Sequence, residues 1–246
     1  VIDHQIMLSE PLTNGTTGKW NYDFKDHNIN TFVEDFLPFW KDGYDFYIHS
    51  QGDLSQLTLA KKLKELLSRA PRDDYKMSIQ HFAFSNDDFF NFVKSNNLHV
   101  NISALPAYMD IWPMWTEAGL YPEHFLTHDF LRLKDVIEDN HFTLSIHSDA
   151  CNMPTRPLYG AYKAITRKDA NDRKIEDDRI QNIDVISGIR AITIEAAKQN
   201  RNEMLFGSLE SGKRASFVVF EKDLFETKNN YCLLYTSPSP RDYAAS

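Results

Sequence analysis

Three side chains of catalytic type in this 246-residue chain, His49, His81 and Asp149, stand at comparable places in separate segments. Each ends or closely follows a short run with apolar residues on alternate positions. These are 44–49 with Tyr44, Phe46 and Ile48, 76–81 with Met77 and Ile79, and 142–147 with Phe142, Leu144 and Ile146. A period of two marks a strand. In barrels of alternating strands and helices, the carboxyl ends of the strands face the reacting ligand whatever the chemistry. Imidazole and carboxylate together suit zinc and similar divalent ions. Two His and one Asp on one rim therefore form a candidate set for a divalent cation, zinc foremost, as one ion or two. A lone His at a strand end more often packs or caps than ligates; the repetition at three strand ends brings the metal level with that reading. His147 shares a face with Asp149 by alternation and suits either substrate contact or packing. Asp53, in His49-Ser50-Gln51-Gly52-Asp53, reads as a helix cap.

The elements that must position these residues are legible from period and punctuation. After the first run, Asp53 with Gln56 forms a capping-box-like pair, Leu59, Leu63, Leu66 and Leu67 keep helical spacing, and Pro71 marks the end. The strand over 76–81 precedes a helix capped by Ser85, carrying Phe89, Phe92 and Val93 and ending at Asn96-Asn97. A third strand over 99–105 alternates through Val100 and Ile102. It leads into an excursion with Pro106, Tyr108, Trp112, Pro113 and Trp115. Helices are predicted over 130–138, 159–166 and 183–198, and residues 1–30 read as polar loop. Four strands, each followed by a helix, predict an α/β protein with a parallel sheet. The stretch 215–220 is β-rich and stands apart, as a small β appendage would.

Composition bounds the function. A net charge of −8 disfavours nucleic acid and anionic membrane surfaces as partners. No apolar run reaches the 18 or so residues of a membrane span. Two cysteines, Cys151 and Cys232, exclude a disulfide scaffold and a Cys-rich zinc site. Composition does not fix the location, with cytoplasmic slightly favoured; Val1 is not an initiator Met, so an upstream signal is the alternative. Gly207-x4-Gly212-Lys213 nearly spells a phosphate-binding loop, but Arg214 stands where Ser or Thr must reach magnesium. His124 and His128 lack the Glu that a zinc-protease helix needs. The run 167–179 is charge-rich and reads as a solvated loop. Cys232 to Asp242 reads CLLYTSPSPRD, which resembles a translated sequencing adapter, so the native chain is expected to end near Tyr231.

The motifs in order resemble the amidohydrolase superfamily, in its family 3 branch of N-substituted formamide deformylase-like proteins. His49-Ser50-Gln51-Gly52-Asp53 resembles that branch's His-x-x-Gly-Asp at the fifth barrel strand. Ile79-Gln80-His81 resembles its Ile-Glu-His at the sixth, and Ser148-Asp149 its Ser-Asp at the eighth. Pro157-Leu158, Ala164-Ile165-Thr166-Arg167 and the segment from Gly207 to Ala215 resemble the motifs that follow. Gln80 and Ser216 depart from the pattern, and the family's His-x-His of the first strand is absent.

The resemblance implies the C-terminal half of a TIM-like (β/α)8 metal-dependent hydrolase barrel, incomplete in this chain. Residues 1–200 would be partial barrel (strands resembling the fifth to the eighth), 201–231 part of a β-sandwich appendage, and 232–246 a non-native tail. It implies His49, His81 and Asp149 as metal ligands, with Asp149 also moving the catalytic proton. The substrate would be a small molecule cleaved at an amide-type carbon–nitrogen bond. Tyr108, Trp112, Trp115 and His147 are candidates for its pocket, with packing the rival role for the aromatics. A homo-oligomer is compatible with this reading, and an inactive truncated product is the alternative to it.

Overall fold

The computed structural model describes residues 6–8 (as backbone), 31–119, 121, 123, 125–150, 155–175, 179–220 and 223. Five parallel strands lie side by side in chain order: β1 (Ile6–Leu8), β2 (Phe46–Ser50), β3 (Met77–His81), β4 (Val100–Ala104) and β5 (Phe142–Ile146). Helices α1 (Phe32–Lys41), α2 (Asp53–Arg69), α3 (Asp87–Ser95), α4 (Tyr108–Glu117), α5 (Leu133–Ile137) and α6 (Pro157–Thr166) connect or flank them, followed by α7 (Val185–Ala191) and α8 (Ile194–Gln199). Among the described residues no helix is long and apolar enough to cross a membrane.

The alternation that marks the strands also sorts the faces of the sheet. Register aligns Ile48, Ile79, Ile102 and Leu144 across β2 to β5, and Phe46 with Met77 and Val100 with Phe142 one layer below. All eight are buried. This face meets the helices: Phe46 lies 5.8 Å from Trp40 of α1, and Phe142 lies 5.7 and 5.2 Å from Phe89 and Phe90 of α3. Leu59, Leu63 and Leu66 of α2 are fully buried, each stabilising the fold by about 1.5–3 kcal/mol. The opposite face is polar. It carries Tyr47, Ser78, Asn101 and Thr143 in one layer and His49, Gln80, Ser103 and Ser145 in the next.

Part of that polar face is satisfied by α8. Gln199 is buried; its amide donates to the carbonyls of Ile102 at 3.0 Å and Thr143 at 3.2 Å, and its oxygen accepts from Ser145 Oγ at 2.7 Å. Beyond α8, Arg201 bonds Asp45 and Asp74, which fastens the amino-terminal end of the sheet.

Several expectations are corrected. The region 1–30 is not all loop: Ile6–Leu8 pairs in parallel with Ile48–Ser50, and three residues are too few to show a period. The helix expected over 183–198 is two. Thr193 leaves helical geometry (φ −127, ψ −97) and its Oγ1 bonds the Ile189 carbonyl at 2.7 Å, within a β-branched Ile-Thr-Ile run that suits a helix poorly. Asn86, not Ser85, caps α3, its side chain accepting from Phe89 N at 3.2 Å. Gly52 rather than Asp53 is the N-cap of α2, and the helix expected over 130–138 is confined to Leu133–Ile137. Residues 215–220 pair with no strand among the described residues, and Phe217, Val218 and Val219 are exposed. The charged run from 167 is not wholly solvated: Arg167 and Asp169 are buried. The Arg167 guanidinium donates to the carbonyls of Leu131 at 3.0 Å and Phe130 at 3.1 Å. Cys151, His124 and residues 232–246 lie outside the described residues.

One close approach is tight enough to test. A Cβ added at Gly160 of α6 would meet Ile146 Cγ2 of β5 at 2.5 Å. Gly160→Ala is expected to cost about 1–3 kcal/mol by overpacking, read as a lowered denaturation midpoint. Ile146→Ala in the same chain should recover part of the loss.

Candidate metal centre

The carboxyl ends of β2 and β3 bring two of the three expected residues into contact. Register places Ser50 opposite His81 and His49 opposite Gln80, so strict alternation would turn the His81 ring away from His49. The backbone departs from alternation at that point: His81 has φ 75 and Phe82 φ 55. The His49 and His81 ring centroids lie 4.0 Å apart. A non-glycine residue in the left-handed region costs about 1–3 kcal/mol unless its surroundings fix it. Here they do. Phe82 N donates to Ser50 O at 3.2 Å, Phe84 N to Gln51 O at 2.7 Å, and Leu105 N to His81 O at 3.0 Å.

The pair is supported on each side. The Gln51 side-chain amide lies 2.9 Å from His49 Nε2, an arrangement in which the amide donates and the ring nitrogen accepts. The Tyr108 hydroxyl of α4 lies 3.1 Å from His81 Nδ1. His147 sits just past β5, its ring centroid 4.8 Å from that of His81, and its Nε2 accepts the His81 backbone N–H at 3.3 Å. Asp149 follows in a left-handed turn (φ 49), near enough for its carboxylate to act electrostatically on both His81 and His147.

Burial sets the charge state. Desolvation, with the His49 and His147 rings adding to it against the opposing pull of Asp149, pushes His81 down to about 3. Desolvation likewise pushes His147 down to about 4, with Asp149 opposing and His49 adding. Both rings are neutral at neutral pH, which is the form that ligates a metal. The donors therefore fit a divalent cation in kind. In number they form a touching imidazole pair with a carboxylate nearby. Among the described residues no three His, Cys, Asp or Glu side chains are grouped closely enough to hold an ion.

The other expected residues divide. Trp115 is a packing residue, meeting Tyr108 at 5.5 Å, Phe84 at 5.8 Å and Phe130 at 6.0 Å. Trp112 packs against the core. Asp53 is fully buried at the start of α2, accepting from Leu54 N at 2.7 Å and from Asn86 Nδ2 at 2.8 Å, a structural role though not the expected cap. Sequence reasoning missed Gln51 as a partner of His49, although it lies inside the same strand-end motif.

It also missed a cleft of about 220 Å3 that opens beside His147, with Ala107, Ile146, Pro157 and Gly160 among its apolar lining and Arg156 and Tyr159 among its polar lining. Tyr159 is held from behind. Its hydroxyl donates to Asp110 Oδ2 of α4 at 2.5 Å, and the buried Lys163 Nζ lies 2.5 Å from Asp110 Oδ1. Lys163 also donates to the carbonyls of Lys168 and Asp169, each at 3.0 Å. No local motif announces this clasp, because α4 and α6 meet only in the fold.

This constellation agrees with what the sequence matches. The chain belongs to the amidohydrolase family, whose sequence model matches residues 40–231. No curated protein matches the sequence. Two solved structures share the fold. One, an uncharacterized metal-dependent hydrolase from Pyrococcus furiosus, is 22% identical with a TM-score of 0.66, over 89% of this chain and 42% of that one. The other, an uncharacterized metal-dependent hydrolase from Pyrococcus horikoshii OT3, is 18% identical with a TM-score of 0.65, over 83% of this chain and 39% of that one. The chain thus spans about two fifths of the length of either structure.

The clasp generates a prediction. Lys163→Met leaves the Asp110 carboxylate without its ion pair in a largely buried setting and is expected to cost about 3 kcal/mol or more in a denaturant titration. Adding Asp110→Leu should return part of that loss, since the isolated charge is then gone.

Proposed function

We propose that this chain is part of a metal-dependent hydrolase of carbon–nitrogen bonds, acting on small amide-type substrates, in the formamide deformylase-like branch of its family. The observation that carries the reading is the contact between the His49 ring and the neutral His81 ring at the carboxyl ends of adjacent strands, with Asp149 acting on His81. In this reading β1 to β5 belong to a TIM-like barrel whose remaining strands, with further metal ligands, lie outside this chain. Residues 201–231 would contribute to a β appendage and 232–246 would be a non-native tail.

His49 and His81 would hold a divalent ion, zinc by the chemistry of the donors. Such an ion, when bound, acidifies water and polarises a carbonyl. The chain's own contribution is positional and acid–base. Gln51 and Tyr108 fix the two rings. The Asp149 carboxylate would ligate as well, accept a proton from the attacking water and release it to the leaving nitrogen, a two-way transfer that a carboxylate can perform. His147 braces the His81 backbone, its Nε2 accepting the His81 N–H.

A second reading, a non-catalytic product, has one observation in its favour: the described residues alone do not group three donors. The two readings predict different behaviour for the full protein that contains this chain. As a hydrolase it should turn over N-formyl or N-acyl amines, lose turnover on chelation and regain it with zinc. His49→Ala or His81→Ala should weaken zinc binding by about a hundredfold, one ligand's share of the binding energy. Asp149→Asn should lower kcat by about 10²–10⁴-fold. Unchanged turnover after complete metal removal would overturn the proposal.

A further inference from the structure

One imidazole at this site has its tautomer dictated by a backbone group. His147 Nε2 faces the His81 N–H at 3.3 Å. A backbone N–H can only donate, so Nε2 carries a lone pair and the proton of the neutral ring sits on Nδ1. The ring cannot turn over without giving up that bond. Its backbone is held as well: His147 N donates to Ala104 O at 3.0 Å, so the residue is tied to the ends of both β3 and β4. The ring stands at 78° to that of His81.

Nδ1 has no such commitment. The Asp149 carboxylate acts on the ring through space and makes no hydrogen bond to it. Nδ1 bonds no group among the described residues, and it is not one of the polar atoms sealed from solvent. His147 lines the cleft of about 220 Å3, where Ala107, Ile146, Pro157 and Gly160 supply apolar wall. An acceptor arriving with a ligand would displace only water from this N–H.

From this geometry we infer that His147 is a further catalytic residue, whose Nδ1–H donates to the carbonyl oxygen of the substrate and holds the charge that gathers there as water adds to the carbon. The proton stays on nitrogen throughout, and no bond forms or breaks at His147. A neutral imidazole suits the role, because it polarises a carbonyl without a positive charge that would repel the cation. A donor already fixed in place costs no reorganisation during the reaction. The inference rests on the proposed hydrolase for the identity of the acceptor; the tautomer does not.

The test separates the two ring nitrogens. Nitrogen-15 NMR of the metal-free protein containing this chain should show His147 protonated at Nδ1 and bare at Nε2. Titration with N-methylacetamide should move Nδ1 to saturation. Asn places an amide N–H near the Nδ1 position and Gln places its amide near Nε2. With zinc supplied and N-acyl amines as substrates, His147→Gln is expected to lower kcat by about 10²–10³-fold, the share of one oxyanion donor, with KM and zinc affinity nearly unchanged. His147→Asn should lose far less. A proton on Nε2, an Nδ1 that the amide does not move, or equal kcat losses in the two variants would overturn the inference. An Nδ1 that responds to the amide in a protein that hydrolyses none would support the donor and remove the hydrolase reading alone.

Discussion

The contact between the His49 and His81 rings depends on the backbone leaving the extended region at the last residue of β3. In a regular parallel sheet the register would put His49 and Gln80 on the polar face and send His81 to the apolar one, among the helices. The left-handed turn at His81 and Phe82 rotates the ring to the polar side instead, and hydrogen bonds with the ends of β2 and β4 keep it there. Strain of this kind persists where the surroundings over-determine it, and it concentrates at functional sites. Asp149 repeats the device at the end of β5. Two of the three candidate ligands therefore owe their placement to a backbone state that non-glycine residues rarely adopt.

The sheet supplies the rest of the geometry. Its apolar face is closed by α1, α2 and α3 through a continuous set of aromatic and aliphatic contacts, which fixes the four longer strands relative to one another. The opposite face is free to carry polar groups. Gln199 satisfies part of it, and the strand ends beyond carry the imidazoles. Desolvation keeps His81 and His147 uncharged, so the site presents lone pairs rather than cations. The clasp between α4 and α6 then makes the neighbouring cleft a fixed shape instead of an adaptable one.

Much of this was legible in the sequence. The four strands β2 to β5 fall within one or two residues of the alternating runs, because one face of each is strictly apolar. His49 and His81 were expected at one rim and are in contact. Tyr108 was expected near the site and bonds His81, whereas Trp115, drawn from the same excursion, belongs to the aromatic core. What stayed hidden has physical causes. A three-residue strand has no period to read. The Ile192-Thr193-Ile194 break is set by one hydroxyl competing for a carbonyl. Arg167 and Lys163 look like surface charges until the fold surrounds them with carbonyls and a carboxylate. The cleft is assembled from α4, β5 and α6, so no single stretch of sequence encodes it.

The central claim is that His49 and His81 act as one cation site. It is tested most directly by nitrogen-15 NMR of the imidazoles during a zinc titration. The account predicts that one ring nitrogen of each residue shifts in step, saturating at the same zinc equivalent, while His99 and His141, which stack elsewhere, stay unmoved. A titration in which only one of the pair responds, or in which the two saturate at different zinc concentrations, would contradict it.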